Sequence, residues 1–95
     1  MGYADKFFAD GTVKPLGYRQ LSPSTAVDIG IGAGRLALIQ ALDQNVRYRD
    51  DGIDPTASTG VRIHAGETIW YTGDVRALKF IEEASSAELN ILVYE

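Results

Sequence analysis

The stretch "VDIGIGAGRLALIQAL", residues 27–42, has residue types and a spacing that could serve a cofactor. A hydrophobic residue and Asp28 lead into Gly30, Gly32 and Gly34, followed by Arg35 and an apolar run. Alternating glycines let a backbone approach a phosphate or ribose closely, and a helix placed next would aim unpaired N–H groups at an anion. Three other groups could do chemistry. Asp50, Asp51 and Asp54 surround Gly52 and could ligate calcium through carboxylate oxygens. His64 is the only histidine, which rules out a histidine cluster or a relay through a second imidazole. Trp70 and Tyr71 are adjacent and offer flat faces for stacking.

The glycine stretch is similar to the S-adenosylmethionine motif of class I methyltransferases, where a strand ends at Asp-x-Gly-x-Gly-x-Gly and a helix follows. That resemblance implies an acidic residue at the end of the next strand to hold the ribose, a role open to Asp50 or Asp51. The context opposes it. A doubly wound sheet needs several strand–helix–strand units of about 30 residues each, and the rest of the chain reads as hairpins. "RLALIQAL" reaches "DQNV" after about two turns, with no capping residue ahead of Arg35. The simpler reading makes "TAVDI" and "RLALIQA" neighbouring strands, joined by glycines that supply positive φ. On that reading Gly32→Ala costs on the order of 1 kcal/mol, according to its local φ, and no cofactor is expected.

The remaining groups also have plain structural explanations. The aspartates lack the spacing of an EF-hand, and Arg47 and Arg49 stand beside them as counter-charges, so a salt-bridged loop is expected and no metal. His64 precedes Ala65-Gly66, which suits a three-residue hairpin loop with Gly66 left-handed. No nucleophile is placed by motif for His64 to serve, so no catalytic residue is assigned. Across that hairpin a three-residue loop puts Arg62, Thr68 and Trp70 on one face and Val61, Ile69 and Tyr71 on the other. A two-residue loop swaps them. Trp70 is expected in the core by default, with a surface role beside Arg62 as the sharper reading.

The elements that must position these residues are short. From Tyr18 onward, turn signals separate about eight strand candidates of four to eight residues: "YRQLS", "TAVDI", "RLALIQA", "NVRYR", "VRIHA", "ETIWYT", "ALKFIEE" and "AELNILVYE". Alternation is clearest in the last, with Leu89, Ile91 and Val93 on one face and Glu88, Asn90 and Tyr94 on the other. In "RLALIQA", Ala37, Ile39 and Ala41 share one face and Leu36, Leu38 and Gln40 the other. Two largely apolar faces mark a central strand with both sides covered. The segments 35–42 and 75–83 are expected to be strand or irregular. The fold expected is all-β, an antiparallel β-sandwich or jelly-roll-like barrel over residues 18–95.

Residues 1–17 read as an extended N-terminal arm. Tyr3, Phe7 and Phe8 sit among Gly, Asp and Lys, and "VKPLG" breaks any helix. These aromatics either fold back on the core or dock on a neighbouring chain. The 95 residues suit one domain of modest core, with 45% apolar and 23% charged residues arguing against disorder. A formal charge of −4 gives no electrostatic reason to bind nucleic acid or anionic lipid. There is no cysteine, so disulfides and thiolate metal sites are excluded. No apolar run approaches the roughly 20 residues of a membrane span, and the first residues lack the features of a secretory leader.

From "ALIQALDQNVRYRDDGIDPTAS" through "GVRIHAGETIWYTGD" to "LKFIEEASSAELNILVYE", the chain resembles small virion proteins of tailed bacteriophages. The resemblance covers about residues 33–95 and carries no catalytic motif. It implies a virion component made in the host cytoplasm, with a major capsid protein or other virion proteins as partners. With the aromatic arm, the expectation is a non-enzymatic, homo-oligomeric structural protein, a capsid decoration or cement subunit. Tyr3, Phe7, Phe8, Arg62 and Trp70 are its candidate interface residues. The alternative is a carbohydrate- or receptor-binding module of a tail or fibre, using Trp70, Tyr48 or Tyr71 as stacking platforms.

Overall fold

The computed structural model describes residues 13–95. It is all-β, with eight strands: β1 (Pro15–Leu21), β2 (Val27–Asp28), β3 (Leu36–Leu42), β4 (Val46–Arg49), β5 (Val61–Ile63), β6 (Thr68–Thr72), β7 (Lys79–Glu82) and β8 (Glu88–Tyr94). A single 3-10 turn, Val75–Ala77, precedes β7, and the Asp74 side chain caps it by accepting from the Arg76 N–H. Both segments with ambiguous periodicity therefore resolve to strand, apart from that turn. Strand β1 starts at Pro15, so residues 15–17 of the expected arm lie in the sheet. Lys14 exchanges two backbone hydrogen bonds of 2.8 Å with Glu95, extending the β1–β8 ladder.

Two antiparallel four-stranded sheets face each other, in the orders β1-β8-β3-β6 and β2-β7-β4-β5. This is the strand order of a jelly roll, in which most successive strands change sheet. It corrects two expected pairings. β2 and β3 are not neighbours, and the glycine stretch between them carries the chain from one sheet to the other. β5 and β6 do not form a hairpin either. Gly66 does take positive φ (85°), in a turn closed by Glu67 N–H on the His64 carbonyl at 2.9 Å, but that turn links the two sheets. Consecutive strands pair within one sheet only at β4–β5.

The alternation read in β8 sets the core. Leu89, Ile91 and Val93 are fully buried and lie in register with Ala41, Ile39 and Ala37 of β3. The other sheet contributes Val46, Ile63 and Phe80, while Ile29, Val75, Leu78 and Ala87 close the ends. Excluding these apolar side chains from water is the main driving term for the fold. Among the described residues no buried side-chain N or O atom lacks a hydrogen-bond partner. β3 is a central strand, lying between β8 and β6, but only its inner face, Ala37, Ile39 and Ala41, is fully buried; Leu38 and Gln40 of the face expected to be covered are only half-buried.

Candidate functional site

Register across the β1-β8-β3-β6 sheet fixes what its outer face presents. Because side chains alternate along a strand, the partners of the buried row point away from the core. Tyr18 of β1 faces Leu92 of β8, Leu92 faces Leu38 of β3, and Leu38 faces Trp70 of β6. The result is one continuous aromatic–Leu–Leu–aromatic band across all four strands. Tyr18 is 51% exposed, Leu92 38% and Trp70 37%. Leu16, at the start of β1, is also exposed. Toward the β8 C-terminus the Trp70 ring packs on Tyr94, with centroids 6.2 Å apart and an interplanar angle of 39°. Leu36, on the same face by alternation, is buried.

The next row is polar: Gln20, Asn90, Gln40 and Thr68. Tyr18 donates its hydroxyl to Asn90 Oδ1, and Asn90 Nδ2 donates to Gln40 Oε1 at 3.0 Å. Gln20 Nε2 donates to Glu88 Oε2 at 3.1 Å. These bonds hold the amides in fixed orientations beside the band. A groove of about 330 Å³ runs between the rows, lined by Tyr18, Leu38, Gln40, Thr68, Asn90, Ile91 and Leu92. Neither row is visible in the sequence without the register, since their members come from four separate segments.

The expected interface residues are not all brought together. Trp70 lies on this outer face and not in the core, contrary to the default expectation. Arg62 is in the opposite sheet, paired with Arg47 across β4 and β5. Their like charges converge on Glu83, whose Oε2 accepts from Arg47 Nε at 2.8 Å and Arg62 Nε at 2.6 Å. The Arg62 bond first, with Asn45 and the charges of both guanidiniums, holds the Glu83 carboxyl below the usual glutamate range. Arg62 is thus committed to its own sheet. Tyr3, Phe7 and Phe8 lie outside the described residues.

Tyr48 and Tyr71, named as stacking platforms, face inward and pack against the core. Their rings meet edge-on at 6.4 Å and 84°, joining the two sheets. Tyr71 donates to Asp50 Oδ2 at 2.7 Å, and burial first, then this carboxylate, raises its phenol above the ordinary range. Burial likewise raises Tyr48. The polar loop is salt-bridged as expected through Arg49 and Asp51. Arg47 turns to Glu83 instead, and Lys79 takes Asp54 at 2.9 Å. Among the described residues no group of acidic or histidine side chains is arranged to hold a metal. His64 is an exposed loop residue.

The glycine stretch does structural work. The helix that a cofactor motif needs is replaced by β3. Gly30 (φ 78°) and Gly34 (φ 126°) take positive φ, while Gly32 does not. A Cβ on Gly34 would meet Val93 Cγ1 at 2.6 Å, so its close approach is to the chain's own core strand. An open depression of about 510 Å³ beside it is lined by Gly34, Arg35, Asp74, Arg76 and Glu95, and there Arg76 is bonded to Asp74. No family model, curated protein or solved structure matches the chain.

Proposed function

We propose that this chain is a non-enzymatic structural protein of a phage virion, a decoration or cement subunit that adheres to a major capsid protein through the outer face of the β1-β8-β3-β6 sheet. The observation that carries this reading is the band Tyr18–Leu92–Leu38–Trp70, an apolar stripe crossing every strand of one sheet. Aromatic and aliphatic side chains on a rigid sheet make suitable anchors, and the fixed amides beside them form a polar rim. On a repeating lattice many weak contacts add, so one modest band per copy suffices. The jelly roll recurs in viral capsid and lectin domains, an analogy of fold that agrees with the reading without establishing it. The resemblance of about residues 33–95 to phage virion proteins points the same way.

A second reading is favoured by one feature. Tyr18 and Trp70 stand beside oriented amides of Gln20, Asn90 and Gln40, a combination that can stack on and hydrogen-bond a sugar. One experiment addresses both readings. Leu92→Glu puts a charge in the middle of the band at an exposed site, and Arg62→Gln serves as the comparison on the opposite sheet. Leu92→Glu is expected to abolish co-sedimentation with capsids while Arg62→Gln retains it. The reverse order would sink the adhesion surface named here. Glycan-array binding that Leu92→Glu removes, with capsid binding absent from the unaltered chain, would establish the second reading instead.

A further inference from the structure

We propose that β6 is an interaction edge, where a second copy of this chain adds its own β6 antiparallel and joins the β1-β8-β3-β6 sheets of both copies into one. Main-chain direction comes first. Ala41 donates to the Glu67 carbonyl at 3.0 Å, and Gly73 donates to the Arg35 carbonyl at 3.1 Å. In the register of β3 with β6, the odd-numbered residues from 67 to 73 therefore turn their N–H and C=O toward β3. Thr68 and Thr72, at the two ends of β6, turn theirs outward to the edge. Among the described residues β6 is paired on one side only, with β3.

The other three edges are built to resist strand addition. β1 begins with Pro15, shifts register between Pro15 and Gly17, and its Tyr18 carbonyl accepts from Arg19 Nη1 at 3.0 Å. β2 has only two residues. β5 has three, and its flanks are occupied. The Gly60 carbonyl accepts from Arg47 Nη1, and the N–H and C=O of His64 are both bonded to Glu67. β6 is built otherwise. Its five residues, Thr-Ile-Trp-Tyr-Thr, include no proline, glycine or charge, and all favour a strand.

The strand also specifies its partner. Thr68–Thr72 reads alike in both directions, with an exposed threonine at each end and Ile69 and Tyr71 packed on the core. Full antiparallel overlap with itself puts Thr68 opposite Thr72 of the second copy, the N–H and C=O of each bonding those of the other. Their side chains then meet as cross-strand threonine pairs. Glu67 falls opposite Gly73, so no like charges face each other. Such a contact is isologous and closes at two copies. Its axis stands perpendicular to the sheet, so the outer bands of both copies lie on one side. The contact uses main-chain groups of the edge, and it holds whether or not the band meets a capsid.

Sedimentation velocity of the full chain over a dilution series reads the mass, and amide exchange by NMR reads the edge. A reversible monomer–dimer equilibrium is expected, with the Thr68 and Thr72 amides protected in the dimer and losing that protection on dilution. The double variant Thr68→Lys/Thr72→Lys sets like charges opposite each other and should be monomeric, as should Thr68→Glu/Thr72→Glu. Mixed, the two variants should form a heterodimer, because position 68 of one copy faces position 72 of the other. A circular dichroism melt confirms that both are folded; should either unfold, amide exchange in the unaltered chain decides alone. A mass of one chain at every concentration, or of more than two, overturns the proposal. So does a dimer that survives in the lysine variant, or a mixture of folded variants that stays monomeric. Protection of Thr68 and Thr72 that persists in the monomer also overturns it, since the edge would then be covered within one chain. None of these measurements uses a capsid, so their failure leaves the proposed adhesion to be judged separately.

Discussion

At the scale of single residues, the glycines separate into those the fold requires and those it merely tolerates. Gly34 sits at φ 126° with Val93 Cγ1 only 2.6 Å from where a Cβ would stand. Gly32 has ordinary φ and open space around the same position. The sequence shows three equivalent glycines, since alternation in a motif says nothing about φ. Gly34→Ala is expected to destabilise by about 1–3 kcal/mol through overpacking, with left-handed strain added. Gly32→Ala should be neutral or stabilising by about 0.4–1 kcal/mol, because alanine narrows the unfolded ensemble at no cost to the fold. This corrects the loss expected at Gly32, which rested on its sharing the positive φ of the turn. Urea melts of the two variants check it, and equal losses would mean that the stretch is held by something other than the Val93 contact.

At the scale of elements, periodicity reported burial better than pairing. The alternation of β8 and the central place of β3 were legible, but the second apolar face of β3 was expected to be covered and instead carries Leu38 in the partly exposed band. Which strand lies beside which was not legible. β2 with β3, and β5 with β6, look like hairpins locally, yet each pair is divided between sheets. A glycine turn serves either connection, so the local signal is the same. For that reason the band could not be read in advance, and neither could Glu83 as the link between Arg47 and Arg62. Glu83 has no sequence proximity to either arginine. Its effect on the β4–β5 pair should depend on pH. Its carboxyl is held below the ordinary range in the fold, so its contribution is present above the unfolded pKa and is lost as pH falls through the folded one. Glu83→Gln should therefore be less stable than the unaltered protein near neutrality, and the gap should close on acidification. Chemical denaturation at a series of pH values measures this. A gap that stays constant into strong acid would remove the charge argument.

At the scale of the whole molecule, one core serves both sheets. Phe80 belongs to the β2-β7-β4-β5 sheet, and it shares the buried cluster with Ile39, Leu89, Ile91 and Val93 of the other. Neither sheet can keep its inner face dry without its neighbour, so the sandwich should unfold as one unit. Trp70 lies on the outer face of one sheet, and Phe80 is fully buried in the opposite one. Truncating Phe80 thus tests coupling across the interface. Phe80→Ala is expected to cost about 3–5 kcal/mol, a large part of the roughly 5–15 kcal/mol that holds a domain together. Trp70 fluorescence and far-ultraviolet circular dichroism should still report a single transition, displaced equally for both probes. If the Trp70 transition stayed in place while the circular dichroism transition moved, the two sheets would be separate folding units. The outer band would then rest on its own sheet alone, and its four-strand register would have to be maintained without the core that this structure places beneath it.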